Sequence, residues 1–344
     1  MNRPFPKLLI GLASAMLLGV SGAQTPSSTP AVGFYNMDIP AGQSAWVCGF
    51  VTKKEFQGQA TSTAPGDPLP DSTPTTVITQ TGATWAVDGF NLHYVEILTA
   101  GAQQGAILDV VSNTASTVRV KGSVTGTPSS CIRKHATLGA VFTNSSVLEA
   151  YADSISLYNS DNTLSTYIAT GVNGEWLADD FSTPANDAII YPGQGFILAA
   201  TDPVVLTIGG GEVSYVKTGP TQIPVYRGQT NFVGLINPLV ATSPTDPLVF
   251  PTPLISTPTT AGGYTTLGSF GLASSGLEEY GDSITLYTQG GDLNPSGSFF
   301  TAGSDILADD FSTIANGTLL RNGYAFIVSV ENADRTLTLL PQNP

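Results

Sequence analysis

Apolar residues along this chain alternate over short stretches and do not keep a helical period over any long one. Ser154-Ile-Ser-Leu-Tyr158 and Ser283-Ile-Thr-Leu-Tyr287 put Ile155 and Leu157, or Ile284 and Leu286, on one face, as a half-buried strand requires. Val118 and Val120 alternate in the same way, and Ala45-Trp-Val-Cys-Gly-Phe-Val51 is an apolar run of buried-strand length. Further strands are expected at 75–79, 93–98, 106–111, 116–120, 204–208 and 336–340, separated by polar or glycine-containing turns. Residues 59–76, with Pro65, Pro68, Pro70 and Pro74, and residues 241–263, dense in Pro, Thr and Gly, read as exposed loops.

The pattern is written twice. Asp153 to Tyr158, Leu177-Ala-Asp-Asp-Phe-Ser-Thr183 and Phe196-Ile-Leu198 recur as Asp282 to Tyr287, Leu307-Ala-Asp-Asp-Phe-Ser-Thr313 and Phe326-Ile-Val328. Outward from that core, Thr137-Leu-Gly139 matches Thr266-Leu-Gly268, and Gly42-Gln-Ser-Ala-Trp-Val47 matches Gly228-Gln-Thr-Asn-Phe-Val233 more weakly. A repeat of this kind fixes the organisation before any fold is assigned. Each copy also carries Ser-x-x-Glu, at Ser146 and Glu149 or Ser275 and Glu278, the spacing of a capping box at the start of a short helix. Asp161-Asn162 and Gly290-Gly291 place turn formers at matching hairpin tips.

The expected fold is therefore mainly β. It has two homologous antiparallel β-sandwich or barrel-like halves, each with one short helix, and the first half carries a β-meander insertion. The first half spans 33–216 with the insertion at 55–135, and the second spans 217–344. Ile155, Leu157, Phe181 and Phe196 are expected in the core at the same places as Ile284, Leu286, Phe311 and Phe326.

Residues 1–23 read as a signal peptide, with Arg3 and Lys7 before an apolar run and Ser21-Gly-Ala23 at the cleavage site, and residues 24–32 as a flexible leader. The expected location after signal-peptide cleavage is secreted or at the cell surface, in the periplasm or outside the cell. No later stretch approaches the ~20 apolar residues of a membrane-spanning helix. The chain has 12 Lys+Arg against 26 Asp+Glu, and loss of Arg3 and Lys7 with the leader takes its formal charge from −14 to −16. Nucleic acid, which is bound through Lys and Arg, is a poor partner for such a surface.

Three sets of residues could carry chemistry. Asp179-Asp180 and Asp309-Asp310 read as turn or loop caps, as weak calcium ligands, or least favourably as catalytic carboxylates, because neighbours on a strand point to opposite faces. Calcium is the one cofactor proposed, at a low extracellular-type affinity, with Glu149, Asp153, Glu278 and Asp282 as further donors. Trp85, in the insertion beside Gly82 and Gly89, has no counterpart in the second copy and is the tryptophan nominated for ligand contact. Cys48 and Cys131 flank the insertion, and two cysteines in an exported chain are expected to pair. His93 and His135 lack a second histidine at metal spacing. No catalytic residue is nominated.

Gly-Gln-[Ser/Thr]-x-[Trp/Phe]-Val, Thr-Leu-Gly, Asp-Ser-Ile-x-Leu-Tyr and Pro192-Gly-Gln-Gly-Phe-Ile197 follow one another in a fixed order. Tyr94-Val-Glu-Ile97, Asp109-Val-Val-Ser-Asn-Thr-Ala115 and Ile132-Arg-Lys-His135 accompany them in and after the insertion. In these motifs the chain resembles a paralogous family of exported proteins best known from Verrucomicrobia. The resemblance implies export and a β-rich fold and assigns no activity. The function expected is that of a non-catalytic structural or adhesive protein of the cell surface or extracellular matrix. A glycan-binding module or weak glycan-active enzyme is the alternative.

Overall fold

The computed structural model describes residues 34–39, 41–47, 52–142, 144–158, 163–209, 219–234, 264–287, 295–321 and 325–340. The expected signal peptide and leader, Cys48, the 241–263 loop and the hairpin tips at Asp161-Asn162 and Gly290-Gly291 lie outside the described residues. Among those described, no helix is long and apolar enough to cross a membrane.

The chain is mainly β, and every pairing between described strands is antiparallel. One five-stranded sheet runs in the order Gln43–Val47, Phe196–Ala200, Ser154–Tyr158, Leu164–Ala169, Trp176–Ala178. Another runs Asn231–Val233, Phe326–Ser329, Ser283–Tyr287, Pro295–Ala302, Asp305–Ala308. Segments matched in sequence thus occupy matching places. Two short ribbons accompany each sheet: Phe34–Ile39 with Val204–Gly209 and Ala136–Thr137 with Ile189–Ile190 in the first half, and Thr221–Val225 with Arg335–Leu339 and Tyr264–Thr266 with Leu319–Arg321 in the second.

Burial follows the period-2 pattern. Ile155, Leu157, Trp176, Phe196 and Leu198 share one core, and Ile284, Leu286, Ile306, Phe326 and Val328 another. The Thr-Leu-Gly triplet of each copy has a packing role. Leu138 and Leu267 are fully buried, while the amides of Gly139 and Gly268 donate to the carbonyls of Asn186 and Asn316. A Cβ on Gly139 or Gly268 would lie 3.3 or 3.1 Å from that same carbonyl oxygen.

Several expectations need correction. The Ser-x-x-Glu segments do not start helices. The short helices precede or overlap them, at Leu138–Val141 and Ser145–Val147 in the first half and Leu272–Ser274 in the second, and no side chain caps their N-termini. The amides of Glu149 and Glu278 instead donate to Asp153 and Asp282, so the chain turns into the next strand before a helix can propagate.

The insertion is more than a meander. It is a seven-stranded sheet in the order Lys54–Gln59, Ser129–Lys134, His93–Ile97, Ile107–Asn113, Thr117–Lys121, Thr75–Thr79, Ser62–Gly66. Ser129–Lys134, which is not among the strands expected from the sequence, is an interior strand with Cys131, Ile132 and Arg133 all buried. The proline-rich stretch also forms a strand, Ser62–Gly66. It sits at the sheet edge, where Pro65, having no N–H, costs no ladder bond. Finally, Phe181 and Phe311 are outside the cores, at 54% and 50% exposure.

Three bodies meet at glycines. The amide of Gln222 donates to the carbonyl of Gly105 at 3.0 Å, joining the insertion to the second half. A Cβ on Gly105, which has φ +86°, would come within 2.3 Å of the Pro220 carbonyl oxygen. The amide of Gly195 donates to Phe232 O at 2.8 Å and that of Gly234 to Gly193 O at 3.1 Å, joining the two halves. Asp109 of the insertion accepts from the Tyr191 hydroxyl at 3.2 Å and lies 3.1 Å from His135 Nε2. Gly105→Ala is therefore expected to cost about 2 kcal/mol or more in a denaturant melt, since it meets both backbone strain and a backbone clash. Gly126→Ala, at φ +70° in open space, should cost only about 1 kcal/mol.

Candidate functional site

The paired aspartates build a loop. In the first half the amide of Phe181 donates to Ala178 O and that of Ala178 to Thr183 O, closing a tight turn after Trp176–Ala178. Asp180 locks it. Its Oδ1 accepts from the amides of Ser182 and Thr183, both at 2.8 Å, and its Oδ2 from the Thr183 hydroxyl at 2.5 Å. Asp310 repeats the arrangement with Ser312 at 2.9 Å and Thr313 at 2.8 and 2.6 Å. The threonine hydroxyl first, then the two amides, hold each carboxyl down at about 2.

The further calcium donors do not converge on these loops. Asp153, almost wholly buried, accepts from the amides of Glu149 at 2.8 Å and Thr201 at 2.7 Å. Asp282 accepts from Glu278 at 2.7 Å and Glu331 at 3.1 Å and faces Arg335, whose Nε lies 2.5 Å from Oδ2. Among the described residues, no group of three or more His, Cys, Asp or Glu side chains gathers to hold a metal ion. Asp179 and Asp309 are exposed and have no hydrogen-bond or ion-pair partner among those residues.

Trp85 and Cys131 both lie on the insertion. Trp85 is half-buried, in T-shaped contact with Phe56 at 5.0 Å and Phe90 at 5.4 Å, and it packs on the insertion's core. Cys131 is a free, buried thiol, so the expected bridge to Cys48 is not formed at this end. Its Sγ donates to Glu96 Oε2 at 3.4 Å, the oxygen that also accepts from Arg133 Nε at 2.8 Å. Burial and the Glu96 charge push the thiol up to about 11.

The residues that sequence reading missed are aromatic. Tyr151, Phe181, Tyr280 and Phe311 are 59%, 54%, 56% and 50% exposed. Among the described residues they also supply four of the seven non-glycine positions with left-handed φ, at 64°, 57°, 56° and 54°. That conformation costs a bulky side chain roughly 1–3 kcal/mol, and glycine would adopt it freely. Each ring rides on a carboxylate-closed turn. Tyr151 and Tyr280 sit between Glu149 and Asp153, or Glu278 and Asp282, and Phe181 and Phe311 follow Asp180 and Asp310. Strand pairing brings the two turns to one corner of the sheet. Tyr151 N–H donates to Ala169 O beside the paired Ala169 and Trp176, and Tyr280 N–H to Thr301 O beside the paired Thr301 and Ile306.

In the second half the Phe311 ring stacks against Phe300 at 4.6 Å and lies 6.3 Å from Tyr280. One signal was available in the sequence. An Asp followed by Ser-Thr at two and three residues closes a turn on itself, so the residue between cannot reach a core.

Compared with family models, curated proteins and solved structures, the chain matches none.

Two outcomes test this geometry. A carboxyl whose folded pKa is depressed stabilises its loop above its unfolded pKa, here 3.8, and ceases to as pH falls through about 2. Hydrogen exchange at the Thr183 and Thr313 amides should accordingly be slow near pH 4 and accelerate, beyond its intrinsic pH dependence, towards pH 2. The Cys131 thiol of the native protein should resist a thiol reagent at pH 8 and react after unfolding, because it is buried and held protonated there.

Proposed function

We propose that this chain is an exported, non-catalytic structural or adhesive protein of the cell surface or extracellular matrix, built by internal duplication within the exported family it resembles. One observation carries the reading: the same strained, exposed Tyr–Phe pair stands on equivalent turns of both five-stranded sheets. Two equivalent sites on one chain let it engage a repeating partner at two points. The second engagement is then intramolecular, and avidity exceeds either single affinity. An enzyme gains little from such a duplicate.

The aspartates support this role through structure, since their oxygens fix the turns that carry the rings. Backbone strain in a left-handed aromatic persists only where surrounding contacts over-determine it, and such outliers concentrate at ligand-gripping positions. The glycan-binding reading draws on the same rings, because exposed aromatic faces stack on the apolar faces of sugars.

The experiment is retention on the source cells or their matrix after washing, read by antibody for the parent chain and for Phe181→Gly/Phe311→Gly. Glycine removes each ring and relieves the left-handed strain, so the variant should keep the parent's fold. The reading expects release of the double variant into the medium and partial release of each single one. Equal retention of parent and double variant would overturn it.

A further inference from the structure

We infer that His93 and Glu55 form a pH-sensitive clasp, which holds the edge of the insertion's sheet closed while the imidazole is doubly protonated and loosens it as pH rises. The two histidines of the chain are bonded differently. His93 is buried, with Nδ1 2.6 Å from the Asn91 carbonyl oxygen and Nε2 2.9 Å from Glu55 Oε2. A carbonyl and a carboxylate only accept, so both bonds exist together only when both ring nitrogens carry a proton. His135 is buried too, yet its Nε2 lies 3.1 Å from Asp109 Oδ1 and its Nδ1 has no partner among the described residues. One proton satisfies that ring.

Two departures from regular backbone accompany the acceptors of His93. Leu92, at φ +56°, stands between the Asn91 carbonyl and the ring that it meets. A bulky residue keeps that conformation only where surrounding contacts hold it, and such strain gathers at functional sites. The pairing of Lys54–Gln59 with Ser129–Lys134 shifts register between Lys54 and Phe56. Glu55 is therefore the extra residue of a bulge, and its side chain reaches across Ser129–Lys134 to the ring.

What the contact holds is the closing edge. Lys54–Gln59 and Ser62–Gly66 are the two outer strands of the seven-stranded sheet, and only Ala60 and Thr61 separate them in the chain. The amides of those two residues donate to Pro128 O and Thr79 O, so one bent segment serves both edges. Glu55 ties the start of that segment to the His93–Ile97 strand. The adjacent Phe56 meets Trp85, Trp85 meets Phe90, and Phe90 lies 5.3 Å from His93.

The other charged groups near the ring are Lys134, its register partner, and Lys53 and Lys54, which precede Glu55, and all three are exposed. Removal of one ring proton breaks one bond and leaves a nitrogen lone pair facing an oxygen in a buried place. Folding thus supplies partners to the doubly protonated ring. Its stabilisation is present while both protons are held and is lost as pH rises through the ring's titration.

Nitrogen NMR of the full chain tests this directly, because two histidines give two sets of ring signals. His93 should keep both ring protons to a higher pH than His135. As pH is raised from about 5 through the imidazole range, protection factors of the Lys54–Gln59 amides should fall at least about threefold, in step with His93. Glu55→Gln should abolish that fall. Its side-chain amide donates to Nε2 while Nδ1–H still donates to Asn91 O, so the neutral ring is fully bonded. The inference is overturned if His93 gives up its second proton at or below the pH at which His135 does. It is equally overturned if protection in Lys54–Gln59 does not change with pH, or if Glu55→Gln leaves the fall as it is in the parent.

Discussion

A buried carboxylate in each half holds the remaining geometry in place. Asp153 and Asp282 are 2% and 0% exposed, and a polar group so buried is tolerable only with its hydrogen-bond partners in position. Both satisfy themselves with backbone amides from two separate turns, Glu149 and Thr201 in one half, Glu278 and Glu331 in the other. These contacts join the turn entering the central strand to the turn leaving the Phe196–Ala200 or Phe326–Ser329 strand. They also bend the chain between Glu and Asp so tightly that Tyr151 or Tyr280 is left at positive φ, pointing outward. The halves differ in one respect: Arg335 opens the strand Arg335–Leu339 and faces Asp282 and Glu278, whereas Val204 opens Val204–Gly209. Among the described residues, the partners of the first-half carboxylate are backbone amides alone.

The second constraint is close approach. Gly105, Gly193 and Gly195 stand where insertion, first half and second half come within hydrogen-bonding distance through their backbones, and side chains there would occupy the partner's atoms. Backbone contact fixes relative position more tightly than a polar side-chain rim does, because no rotatable side-chain bonds intervene. Around it, Asp109 accepts from Tyr191 and lies against His135, adding a directional link between insertion and first half.

The exposed rings give the repeated Asp-Asp-Phe-Ser-Thr a physical meaning. One aspartate is consumed in closing the turn, the next residue is forced into the left-handed region, and that residue is phenylalanine where glycine would be cheaper. The other aspartate faces solvent. Turn-closing and exposed residues thus alternate within five positions, and the same short phrase recurs in both sheets.

From the sequence alone one could read the β class, the strands at Ser154–Tyr158 and Ser283–Tyr287, and the matching of segments between halves, because period-2 burial and repetition are local properties of the string. It also marked Asp179, Asp180, Asp309 and Asp310 as special, with loop capping among the readings offered, since an Asp ahead of Ser-Thr bonds to its own backbone. Other features depended on partners distant in the chain. Ser129–Lys134 became an interior strand because both Lys54–Gln59 and His93–Ile97 pair with it. Glu149 and Glu278 gave up their helix starts because Asp153 and Asp282 also had to reach amides 48 and 49 residues away. Trp85 was drawn into the insertion's core by Phe56 and Phe90, and Cys131 stayed a thiol beside Glu96 and Arg133. Phe181 and Phe311 looked like core residues because hydrophobicity is a property of the residue. Which side of the chain faces solvent is set by the turn, and only the folded backbone decides it.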